Sequence, residues 1–104
     1  MKTINVECTK TLDDIKGILL LHKQELEEQY KIKSIGIFGS YARGEQNTNS
    51  DIDILVEFEK PIGLGFVHLA DLLEEMLGEK VDLVSRGAIK SNKWKYVEQD
   101  IIYV

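Results

Sequence analysis

The sequence is poor in the residues that build unusual scaffolds. It has one cysteine, Cys8, so no disulfide can staple the chain to itself and no cysteine-based metal spacing exists. One proline, Pro61, leaves no proline-rich linker, and no repeat or low-complexity segment interrupts the chain. No stretch approaches the roughly 18 apolar residues of a membrane span. The first ten residues, MKTINVECTK, lack the apolar run of a signal peptide. Basic residues are the minority, 13 against 18 acidic, for a formal net charge of -5. Such a balance argues against non-specific nucleic-acid binding, where Lys and Arg must neutralise phosphates. The expectation is a cytoplasmic domain with no membrane or nucleic-acid partner.

What remains is ordinary globular material. The chain has 104 residues, of which 43% are hydrophobic and 30% charged. That suits one domain over residues 1–104 with a modest core, and leaves little material for a second substrate pocket. Ile4, Val6 and Cys8 alternate with polar residues, as in a short strand. Thr11 is a candidate N-cap for a helix over about 11–29, with Asp13 and Asp14 in its first turn. Leu12, Ile15, Ile18, Leu19, His22 and Leu26 supply its apolar stripe. Ser34–Phe38 is a buried strand, Gly39–Gly44 opens a short helix, and Glu45–Ser50 is a polar loop. Asp51–Phe58 is a second strand, β-branched enough to be central. A helix then runs to about Leu77 with Gly78 as its stop, followed by a strand over Lys80–Val84. A last helix spans about 91–99, where Ser91 could cap, before the apolar end IIYV. The order implies an α/β domain with helices packed on a three- or four-stranded sheet.

The chemistry concentrates in the middle. Asp51 and Asp53 are two apart in a strand, so their carboxylates project from one face while Ile52 and Ile54 enter the core. Adjacent carboxylates repel and are costly to desolvate. A divalent cation removes both objections, and oxygen ligands suit Mg²⁺. Gly39 and Ser40 end an apolar strand and open a helix, where free N–H groups, the Ser40 hydroxyl and a small residue can cradle phosphate. Arg43, one turn on, could add positive charge for a phosphate tail. Asp82 sits inside KVDLV. If that strand lies beside Asp51–Val56, Asp82 completes a three-carboxylate set able to hold two cations about 3.5–4 Å apart. The P-loop pattern fails because Glu45 and Gln46 stand where Lys and Ser/Thr belong. An EF-hand fails at Ile54 and Lys60. His22 and His68 are isolated, and Trp94 and Tyr96 between lysines fit a partly buried helix better than a nucleic-acid platform.

Gly39-Ser40, ten intervening residues, then Asp51-Ile52-Asp53 resemble the signature of the polymerase-β-like nucleotidyltransferase superfamily. The fuller stretch GSYARGEQNTNSDIDILVEF looks like its minimal nucleotidyltransferase (MNT) branch, the antitoxins of HEPN/MNT toxin–antitoxin systems. The likeness covers roughly residues 11–104. It implies a small palm-like fold with a mixed sheet. It implies that Asp51 and Asp53 bind two Mg²⁺ ions and the triphosphate of ATP. It further implies that Asp82 ligates the catalytic metal and helps deprotonate the acceptor, and that Gly39 and Ser40 hold the β- and γ-phosphates. The acceptor it implies is a tyrosine of a HEPN-domain toxin, modified with AMP as pyrophosphate leaves. Two other readings stay open: an antitoxin that acts by binding alone, and a transferase acting on a small molecule or RNA. IIYV and PIGLGF are candidate docking stretches, although most of their side chains suit the core.

Overall fold

The computed structural model describes residues 10–104. The strand expected around Ile4–Cys8 lies outside the described residues.

The first helix, α1 (Leu12–Tyr30), begins where the sequence says it should. Thr11 and Asp14 form a reciprocal capping box. The Asp14 N–H donates to Thr11 Oγ1 at 3.2 Å and the Thr11 N–H donates to Asp14 Oδ2 at 2.9 Å. The bond from the Thr11 N–H favours the ionised form and holds the Asp14 carboxyl below its usual range. Ile15, Leu19 and Leu26 are buried at helical spacing, and Lys31 in the left-handed region ends the helix.

The chain turns directly into β1 (Ile32–Phe38), which starts two residues before the expected Ser34. A five-residue helix, α2 (Gly39–Arg43), follows and stops at left-handed Gly44. After the polar loop come β2 (Ile52–Phe58), α3 (Gly65–Leu77) and β3 (Val81–Ser85). A 3₁₀ turn (Arg86–Ala88) leads to α4 (Ser91–Asp100) and β4 (Ile102–Tyr103). Ser91 does not cap α4: the N-cap is Lys90, with no side-chain bond, and Ser91 is the first helical residue.

The sheet order is β3-β2-β1-β4. β1 is antiparallel to β2 and β4, while β2 and β3 run parallel. A parallel neighbour requires a crossover, and α3 supplies it. The sheet is therefore mixed and four-stranded, with the apolar chain end providing the fourth strand.

Alternation divides the sheet into two unlike faces. Ile37, Ile52, Ile54 and Val56 point to one side, where Ile15 and Leu19 of α1 and Leu69, Leu73 and Leu77 of α3 close over them. All nine of these side chains are fully buried. Gly36, Phe38, Asp53, Leu55, Asp82 and Val84 alternate with that set and pair across the strands on the other side. Among the described residues, α2, the 3₁₀ turn, α4 and the chain end approach this second face. The stretch PIGLGF divides: Phe66 packs edge-on against Phe58, whereas Leu64 is 81% exposed. At the chain end, Tyr103 is exposed and its three apolar neighbours are half-buried.

Candidate active site

The second face carries the chemistry. In the parallel β2–β3 ladder, Asp53 and Asp82 are register partners. The pairing that Asp82 required is therefore present, and both carboxylates stand on one face. Asp51 lies one residue before β2, exposed, at the end of the polar loop. Ile52 and Ile54 enter the core as their alternation demands.

Gly39 completes the junction. Its φ is +75°, and a Cβ placed there would run into the Asp53 carboxylate, 2.9 Å from Asp53 Cγ. Both the backbone conformation and the close approach require glycine. Phe38, just before Gly39, pairs with Asp53 across the antiparallel ladder. The turn between β1 and α2 thus sits directly against the central carboxylate. Ser40 is the second residue of α2 and not its cap, because the N-cap is Phe38 and no side-chain cap bond forms. Its hydroxyl is not committed to capping.

Asp53 is the strained member. Burial pushes its carboxyl up to about 6, and the neighbouring negative charges of Asp82 and Asp51 push the same way, while Arg43 opposes them. A carboxylate in this condition gains from a cation. The set of oxygen donors, one half-buried and two exposed, fits a hard divalent ion such as Mg²⁺. The three carboxylates are not a closed cage as they stand: among the described residues, no three His, Cys, Asp or Glu side chains converge on one point.

Arg43, expected to offer charge to a phosphate tail, is held by two carboxylates. Its Nε donates to Glu45 Oε1 at 2.9 Å and its Nη1 to Asp100 Oδ2 at 2.7 Å. The guanidinium ties α2 to the end of α4 and lies close enough to Asp53 to oppose its rise. Two further groups were not singled out by sequence. Tyr41 is buried, its hydroxyl without a hydrogen-bond partner, and burial followed by the charges of Glu79 and Asp51 raises its pKa. Lys90 and Lys93 line a cleft of about 500 Å³ beside Asp82. The signal for the lysines was available: RGAIKSNKWK holds four cations and no carboxylate in an acidic chain. Within it, Arg86 lies over the Trp94 ring at 3.7 Å.

A nucleotidyltransferase domain model matches residues 20–104. The chain belongs to the nucleotidyltransferase domain family. A Methanocaldococcus jannaschii protein named as a candidate protein adenylyltransferase is 59% identical over 97 residues, covering 91% of this chain and 99% of its own. The protein adenylyltransferase MntA of Thermococcus cleftensis is 47% identical over 95 residues, covering 90% and 96%. Among solved structures, a candidate minimal nucleotidyltransferase superposes with a TM-score of 0.76 at 30% identity, over 89% of this chain and 95% of that one. A toxin–antitoxin crystal structure with AMP-PNP superposes with a TM-score of 0.67 at 29% identity, over 80% and 69%. The fold is thus that of the minimal nucleotidyltransferases, a mixed four-stranded α/β domain. No helix among the described residues is long and apolar enough to cross a membrane.

Proposed function

We propose that this nucleotidyltransferase is the antitoxin-type protein adenylyltransferase of a two-protein system, moving AMP from ATP onto a tyrosine hydroxyl of a HEPN-domain toxin. The observation that carries the reading is the register pairing of Asp53 with Asp82, with Gly39 pressed against Asp53. It joins a glycine turn at a helix start, a half-buried carboxylate and an exposed carboxylate on one face. The names of the two relatives and the bound nucleotide analogue of the toxin–antitoxin neighbour support the same reading.

The roles follow from position. Asp51 and Asp53 would hold Mg²⁺, with Asp82 as a further ligand. Asp51 and Asp82 are exposed, so rotation can bring them toward Asp53. The cations would supply charge neutralisation for the triphosphate. Gly39 and Ser40 would take the β- and γ-phosphates, where a side chain at position 39 would block approach. The tyrosine oxygen forms a bond to the α-phosphorus as the bond to pyrophosphate breaks. The hydroxyl proton passes to the Asp82 carboxylate, which is open to solvent. Positioning and electrostatics carry the rate, as in other phosphoryl-type transfers. Residues 1–104 act as one such domain, in the cytoplasm.

Intact-mass measurement of the cognate toxin, incubated with this chain, ATP and Mg²⁺, should show an increase of one or more AMP units. The Asp82→Ala chain should bind nucleotide and leave the toxin unmodified. An intact complex without any adduct sinks the proposal. Full protection of cells by Asp82→Ala would favour neutralisation by binding alone.

A further inference from the structure

The cleft beside Asp82 has a character of its own. It runs along β3 from Asp82 to Val84, away from the Asp51 end of the strands. Phe38, Val84, Ile89 and Val97 give it apolar walls. Gly39 directly follows Phe38, one residue past the Phe38–Asp53 pair, so the phosphate turn borders the cleft at its Asp82 end while Val84, Ile89 and Val97 extend away from it. Lys90 and Lys93 stand at the rim, both exposed, and neither has an ion-pair partner among the described residues. The cleft therefore combines a slot for an apolar ring, a carboxylate that can receive a proton, and two uncommitted cations. The chain as a whole is acidic, so this local positive rim stands out.

We propose that this cleft is the acceptor pocket and that Lys90 and Lys93 determine specificity, selecting a tyrosine flanked by carboxylates. The inference rests on the adenylyltransferase reading above and adds the chemistry by which the acceptor is chosen. The acceptor ring lies between the apolar walls with its hydroxyl toward Asp82. Acidic residues on either side of the tyrosine meet the two ammonium groups at the rim. Charge at an interface rim selects partners and register more than it adds affinity. A basic flank would face two like charges and be rejected.

The test uses the whole chain with short fluorescent peptides carrying one tyrosine flanked by Glu, Gln or Lys. Binding is read by anisotropy, and AMP incorporation by mass. The wild-type chain should bind and modify the Glu-flanked peptide about fivefold to tenfold better than the Gln-flanked one, the range expected of two exposed charge pairs. Lys90→Glu with Lys93→Glu should reverse the order and leave the KM for ATP unchanged. Lys90→Arg with Lys93→Arg should keep the original preference. Both side chains are exposed, and an unchanged circular-dichroism melt would establish that the variants fold. An unaltered peptide preference in the double Glu variant overturns the assignment. So does a raised KM for ATP with no change toward the peptides, which would make the cleft a nucleotide subsite. An RNA oligonucleotide accepting AMP in preference to every peptide would overturn it too. Charge-selective binding without any turnover would instead break the adenylyltransferase reading and leave the pocket assignment standing.

Discussion

The two faces of the sheet are made by the same strands and obey opposite rules. On the α1/α3 side, alternate residues of β2 are Ile52, Ile54 and Val56, all fully buried. On the other side, β2 presents Asp53 and Leu55, and the cover is a five-residue helix, a 3₁₀ turn and an α4 that has no fully buried residue. One face contributes most of the apolar burial. The other is thinly covered, so a substrate can reach a carboxylate that the first face holds in place. Neither face is dispensable: without the packed side, Asp53 and Asp82 would have no fixed register.

The comparison breaks most sharply at Asp82. Asp82→Ala should lower adenylylation by about 10³-fold, the scale of losing a group that acts in the transition state, with little change in melting temperature. Toxin adenylylation kinetics and a thermal melt check both halves. On the packed face the pattern should invert. Leu73→Ala is expected to cost about 2–5 kcal/mol of stability, and chemical denaturation measures it. Its specific activity should survive in whatever fraction remains folded.

A smaller effect has a less intuitive sign. Asp53 holds its proton more tightly in the folded chain than in the unfolded one, up to about 6. Its stabilising contribution is therefore complete below the unfolded carboxyl value near 4 and is lost as pH rises to about 6. Asp53→Asn cannot ionise, so it should stabilise the metal-free protein by about 1–3 kcal/mol above pH 6. That gain should fade toward pH 4, and melts at pH 4.5 and 8 decide the point. With Mg²⁺ and nucleotide present the wild type should regain ground, because its Asp53 carboxylate carries a charge for the cation that an amide lacks. The same proton should weaken Mg²⁺ binding as pH falls through 6, which titration calorimetry would detect. The mildest change, Thr11→Ala, should cost about 1 kcal/mol through the lost capping box without altering catalysis.

Local signals made much of this legible in the sequence. Thr11 and Asp14 announce α1, Gly78 ends α3, and the alternation around Asp53 assigns its face correctly. The packing of β3 beside β2 was a conditional reading, and the ladder satisfies it. Three features were less legible, two because they depend on long-range placement and one because a helix start shifted by a single residue. Arg43 pairs with Asp100, 57 residues away, and nothing local distinguishes that partner from a phosphate. Ser91 has the chemistry of a cap, yet Lys90 takes the position and Ser91 becomes the first helical residue. The lysines beside Asp82 are visible in the sequence as a cationic run, but their place beside the carboxylate is set only when α4 folds back over the sheet.

The parallel pairing of Asp53 with Asp82 has one more consequence. Strand registers change in whole residues, never in fractions. A slip of one would turn Asp82 toward α1 and α3, and a slip of two would set it against Leu55 or Asp51. The separation of the two backbones carrying these carboxylates is thus quantised by the peptide ladder. Heat or mutation can abolish that spacing, but cannot stretch it by degrees.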